Sequence, residues 1–226
     1  MKRSHGLEAL SHLIAFSRLD VIDNSGTLMH YTIMTQDSEN SSLLISAIKQ
    51  VGFKGLFKYA FYSVAVFFFN WIPLPQLRVY YLRLLGAKIG KNVFIGKVQF
   101  KNYHKASFPG LTIGDCTYIN DDALIDLYDT MTIGKYVTIG FRTMLFTHFK
   151  GSHVDHPLKK FLPDRHMPLT VGDYSFVLSG CMVIPGVKIG RYAVVHSGTV
   201  VVKDVPDKSV LAGSQAKIIY TLDIQE

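Results

Sequence analysis

The chain has 226 residues, 48% of them hydrophobic and 18% charged, with a formal net charge of +7. That length supports one sizeable core plus an appended segment, and that apolar content excludes an intrinsically disordered chain. The basic balance suits an anionic partner such as a membrane surface, an acidic glycan or a phosphorylated cofactor. Scattered Lys and Arg, without any finger, RNP-type or helix-turn-helix signature, set nucleic acid aside.

The chain opens with Met1-Lys2-Arg3, but no clean apolar stretch with a small-residue cleavage site follows, so a secretory signal is not expected. Cys116 and Cys181 cannot make a disulfide framework and read as reduced thiols of a cytoplasmic protein. Residues 1–40 give mixed signals and run into the polar stretch 36–42, which reads as a loop. Ser41 or Ser42 is then the expected N-cap of a helix carrying Leu44, Ile45, Ile48 and Val51.

Residues 59–77 carry no charge, and their middle reads Val64-Ala65-Val66-Phe67-Phe68-Phe69-Asn70-Trp71-Ile72. Asn70, Pro73 and Pro75 crowd the second half, whereas a spanning helix wants about 20 apolar residues. Two readings remain. In one, a hydrophobic helix packs on the main domain or on another subunit. In the other, the run lies on a membrane at its cytoplasmic face, with Lys54, Lys58, Arg78 and Arg83 flanking it and Trp71 at the headgroup level.

The character changes at about residue 85, which divides the chain into a hydrophobic, partly helical segment (1–84) and a repeat domain with a short tail (85–226). Aliphatic residues recur every sixth position at Val171, Val177, Val183, Ile189, Val195 and Val201. The same period runs through Ile113, Ile119 and Ile125, and again through Ile133, Ile139 and Leu145, with Ile89 and Ile95 opening the series. Four residues after each aliphatic stands a small or β-branched residue, such as Thr117, Ala123, Thr143, Ser175, Cys181 or Ala193. Gly often follows the aliphatic directly, as at Gly114, Gly134 and Gly190, which suggests a turn wanting backbone freedom. A six-residue period fits neither helix nor half-buried strand. It fits a coil in which each hexad gives one short strand and one turn, and three hexads make a triangular rung.

The series breaks between Leu145 and Val171, and the extruded segment holds His148, His153, His156 and His166. A loop extruded from a regular coil is where functional groups gather, and His is the side chain suited to proton transfer near neutrality.

The repeat closely resembles the hexapeptide-repeat acyltransferases, the group that includes galactoside and maltose O-acetyltransferases. Residues 84–218 carry the resemblance. Its most specific parts are Leu85-Gly86-Ala87-Lys88-Ile89-Gly90, Ile184-Pro185-Gly186-Val187-Lys188-Ile189-Gly190, and Ser197-Gly198-Thr199-Val200-Val201-Val202-Lys203-Asp204-Val205-Pro206. The closing run Ala212-Gly213-Ser214-Gln215-Ala216-Lys217 departs from the family, which usually has Pro where Gln215 stands and Trp near Phe176.

The resemblance implies an all-β, left-handed parallel β-helix and an acetyltransferase using acetyl-CoA, without a required metal. The implied acceptor is a hydroxyl, or an amine, of a sugar, a nucleotide-sugar or a polysaccharide precursor. Carried over by position, His148 is the general base, Asp122 lies beside the acceptor, and Ser179, Ser197, Lys203 and Lys217 contact CoA. Such enzymes are homotrimers with sites between subunits. Two other readings share the fold: a zinc carbonic anhydrase using His148 and His153, and a non-catalytic scaffold.

Overall fold

The computed structural model describes residues 17–22, 28–33, 36–150, 161 and 163–213, with side chains from Lys54 onward. The chain forms two compact units, Met1–Phe57 and Lys58–Glu226. In the first unit, the strands Ser17–Ile22 and Leu28–Ile33 pair antiparallel. The helix Gln36–Trp71 begins in that unit and ends in the second. The polar stretch 36–42 is therefore helical rather than a loop, and neither Ser41 nor Ser42 starts the helix. Asp37 and Glu39 lie in its first turn, where the helix dipole favours negative charge, so polarity there marked a helix start.

In the second unit a further helix, Pro75–Leu84, leads into the coils, with Pro75 at its first turn. Among the described residues, sixteen two- and three-residue strands then wind into three parallel sheets of six, five and five strands. The six-stranded sheet stacks Phe94–Ile95, Tyr118–Ile119, Thr138–Ile139, Phe176–Val177, Val194–Val195 and Val210–Leu211. Its register places Ile95, Ile119, Ile139, Val177, Val195 and Leu211 one above another. Each coil thus donates its hydrogen bonds to the next, and the aliphatics fill the prism that the sheets enclose.

Every repeat aliphatic from Ile95 to Val201 is buried, and so is every small residue four positions later. Three polar members of that second set bond to the next turn's backbone. Thr117 Oγ1 donates to the Gly134 carbonyl, Thr143 Oγ1 to that of Leu178 and Ser175 Oγ to that of Gly190, all within 2.8 Å. Facing carbonyls satisfy these three hydroxyls, whereas the buried Thr199 Oγ1 finds no hydrogen-bond partner among the described residues.

The glycines that follow the aliphatics have another cause than backbone freedom, since none of them has positive φ. A Cβ at Gly114 would lie 2.5 Å from the Lys135 nitrogen and 2.6 Å from the Gly134 carbonyl carbon. These positions are glycine because adjacent coils approach there. Positive φ falls two residues later, at Cys116, Tyr136, Tyr174 and Tyr192. The last three rings stack along the corner at 5.2 and 4.8 Å, so side-chain stacking accompanies left-handed backbone at non-glycine residues.

Residues 58–84 pack on the first coils. Phe69 meets Phe100 edge-on at 5.3 Å, and Tyr62 approaches Phe108. The Arg78 guanidinium is buried and donates to the carbonyls of Ile72, Pro73 and Ile95. Among the described residues, no helix is long and apolar enough to cross a membrane.

A core aliphatic and a surface one separate the two roles within the coils. Ile139→Ala is expected to lower unfolding stability by about 2–5 kcal/mol in a urea titration. Val202→Ala, at an exposed position, is expected to change it by less than about 0.5 kcal/mol.

Candidate functional site

The coil is left just after the strand Met144–Leu145, and the departing chain is held by a buried carboxylate. Asp126 ends the strand Leu124–Asp126, which pairs with Met144–Leu145. Its Oδ2 accepts the backbone N–H of Thr147 at 2.9 Å and of His148 at 3.1 Å. The Thr147 hydroxyl lies within 3.0 Å of both the Asp126 carbonyl and Oδ2 and accepts from the Asp129 N–H. On the other side, Asn102 Nδ2 donates to Asp126 Oδ1 at 2.7 Å. The chain then runs out as a two-stranded antiparallel ribbon, His148–Phe149 against Arg165–His166.

His148 is fixed by the same carboxylate. Its Nδ1 lies 2.6 Å from Asp126 Oδ2, and its ring stacks on Tyr128 at 4.7 Å and 12°. With Nδ1–H donated to Asp126, the neutral ring carries its lone pair on Nε2. The side chain is 23% exposed while that of Asp126 is 1% exposed, so the ring bridges a dry carboxylate and solvent. This is the geometry a proton-accepting imidazole needs: fixed tautomer, fixed plane, and a buried anion to stabilise the imidazolium.

A second pair stands beside the first. His166 Nδ1 lies 2.8 Å from Asp129 Oδ2, and the His166 ring is tilted against Tyr128 at 5.6 Å. The hydrogen bond from His166 holds the Asp129 carboxyl below its usual value, with the Thr130 N–H helping and partial burial opposing. Lys105 Nζ lies 5.2 Å from the Tyr128 ring centre. The described residues hold no group of three His, Cys, Asp or Glu side chains that could bind a metal.

The remaining expected residues fall in two places. Asp122, at a positive-φ corner, lines an open cleft of about 440 Å³ with Phe141, Arg142, Ser179, Gly180 and Gly198. Arg142 Nε is 3.8 Å from Asp122 Oδ2, and both side chains are mostly exposed. Successive backbone bonds, Gly180 N–H to Phe141 and Gly198 N–H to Ser179, stack these corners, with Ser197 adjoining Gly198. Asp122, Ser179 and Ser197 are therefore one column. His148 is not part of it but sits at the next corner, beyond the strand Met144–Leu145. Lys203 follows the strand Val200–Val201, two coils, about 10 Å, along the axis from His148. Lys217, His153 and His156 lie outside the described residues.

Asp126, Asn102, Tyr128 and Asp129 were not singled out by the repeat, whereas His166 was among the histidines of the extruded segment. Asp126 carried a visible signal: an acidic residue inside the apolar run Ala123-Leu124-Ile125-Asp126-Leu127. The others become neighbours only through the coil stacking.

Comparison with known proteins agrees with this architecture. The model of the bacterial transferase hexapeptide (six repeats) matches residues 168–203. The chain is 34% identical over 161 residues to "Putative colanic acid biosynthesis acetyltransferase WcaF" of Escherichia coli, a match covering 70% of this chain and 83% of that one. It is 31% identical over 143 residues to the galactoside O-acetyltransferase of the same organism, covering 63% and 67%. A solved galactoside acetyltransferase in complex with coenzyme A superposes with a TM-score of 0.57 at 26% identity, covering 74% of this chain and 78% of that one. The chain belongs to the hexapeptide-repeat acetyltransferases, enzymes built on the left-handed parallel β-helix.

Proposed function

We propose that this enzyme moves an acetyl group from acetyl-CoA to a hydroxyl of a saccharide destined for surface polysaccharide, with His148 as general base. The observation that carries the reading is the Asp126–His148 pair at the excursion from the coil. His148 Nε2 removes the proton from the acceptor hydroxyl as its oxygen bonds to the acetyl carbonyl carbon. The thioester supplies the acetyl group and releases the CoA thiol. His148 then returns the proton to the departing sulfur, so the base is regenerated, and Asp126 stabilises the imidazolium in between. Asp126 is a positioning residue here, because it is buried behind the ring.

The cleft beside Asp122 suits a phosphorylated, pantetheine-bearing donor. Gly180 and Gly198 leave a bare strip of backbone there, and a Cβ built on Gly198 would meet nothing within 4 Å. Ser179 and Ser197 offer hydroxyls on this strip, while Arg142 in the cleft and Lys203 on the neighbouring corner are cations for phosphate groups. Asp122 would face the acceptor from the same cleft. Support for a saccharide acceptor in polysaccharide assembly comes from the names of the relatives, and support for acetyl-CoA from the coenzyme A in the galactoside acetyltransferase structure.

The separation of His148 from that cleft supports a homotrimer. Within one chain the base stands on one corner and the donor cleft on another. A three-fold arrangement sets one chain's His148 corner against the next chain's cleft and completes three equal sites.

Three outcomes follow, each read by thiol release with a panel of saccharide acceptors. His148→Ala lowers turnover roughly 10²–10⁴-fold with the fold intact, and activity within a factor of three of wild type removes His148 from the role. Ser179→Trp, at an exposed position, raises the acetyl-CoA KM about tenfold or more while leaving thermal stability unchanged. Mixing unfolded His148→Ala and Ser179→Trp chains and refolding them together restores part of the activity that each lacks alone. No recovery in assemblies shown to contain both chains would place the whole site within one chain.

A further inference from the structure

The helices of the second unit have two faces, and only one of them is used by the coils. Tyr62, Ala65 and Phe69 turn inward, and Phe69 is 1% exposed. Phe61, Val64, Phe68 and Trp71, spaced three and four apart, form an outward stripe. Trp71 is 75% and Phe68 56% exposed. The next helix does the same: Val79 and Leu82 are buried, while Leu77, Tyr80 and Leu84 are exposed. Exposed apolar patches of this extent mark an interaction surface.

The charge around this surface says what covers it. From Lys58 to Gly114 the chain has eight lysines and arginines and no aspartate or glutamate. Arg83, Lys88, Lys91, Lys97 and Lys101 are exposed on the helix end and the first coils. The first acidic residues after this stretch, Asp115 and Asp121, accept the backbone N–H groups of Lys91 and Lys97. A second copy would bring the same positive charge against itself. An aromatic, tryptophan-bearing stripe in a stretch of chain whose charges are all positive is complementary to lipid acyl chains beneath anionic headgroups.

We propose that the outward face of residues 58–84 docks this acetyltransferase on an anionic bilayer surface, lying in the interface without crossing it. The helix lies with Phe61, Phe68 and Trp71 at the level of the headgroups and upper acyl chains, and the lysines of the first coils face the lipid phosphates. The aromatic stripe is independent of the catalytic assignment, because Phe61, Phe68 and Trp71 belong neither to the His148 corner nor to the Asp122 cleft.

The test is flotation of the full chain with vesicles of phosphatidylcholine alone or mixed with phosphatidylglycerol. The wild-type chain is expected to float with the anionic vesicles and to be released as salt is raised. The combined substitution Phe61→Ser, Phe68→Ser and Trp71→Ser is expected to lower the partition coefficient at least about tenfold, with acetyl-CoA binding and thermal midpoint unchanged. A wild-type chain that stays unbound overturns the proposal, as does a substituted chain that floats equally well. If the substitution instead lowers the oligomeric state in sedimentation while vesicles are ignored, the face joins copies of the chain and the proposal fails.

Discussion

The structure depends on one constraint: each coil must bond to the coils before and after it in register around a triangular prism with almost no free volume. Parallel pairing fixes which residues stack, so Ile119, Ile139 and Val177 have no other place than the axis. A one-residue slip would turn this column outward and drive the outward-facing Tyr118, Thr138 and Phe176 series inward. The same closeness excludes a Cβ at Gly114 and Gly134 and keeps the second inward position small. Packing, hydrogen bonding and composition are here a single requirement seen from three sides.

That rigidity makes the site. The interior of the repeat is filled by its own aliphatics, so the histidine is placed where the repeat is broken. Asp126 holds that break from the neighbouring coil, with a carboxylate on the last residue of the strand that pairs with Met144–Leu145. Burying an anion there is costly unless donors surround it. The donors are the backbone of Thr147 and His148, the Thr147 hydroxyl and the Asn102 amide, and the imidazole is held by the same oxygen. The groups that make the carboxylate tolerable also aim the histidine. Removing the charge therefore loosens the exit of the loop and the tautomer of the ring together.

The coils were legible in the sequence because a six-residue period has no competing explanation over so many repeats, and the buried positions follow it from Ile95 to Val201. Handedness was not legible, since the period is the same for either hand, and it enters through the family. The glycines were seen, but their cause was not: coil-to-coil distance is invisible along one strand. His148 could be picked out because it stands at the break in the period. Tyr128 and Asn102 could not, and Asp126 stood out only as an acid in an apolar run, because their association depends on which coil lies over which. Residues 36–42 misled for a local reason, as acidic and polar residues serve a helix start as readily as a loop.

Donor binding reaches the central claim most directly, because it requires neither the right acceptor nor an assembled polysaccharide pathway. Titrating purified protein with acetyl-CoA in a calorimeter should give saturable heat with about one site per chain, displaced by free CoA. Absence of heat together with absence of competition by CoA would contradict the account and leave the prism as a scaffold without the acetyl donor.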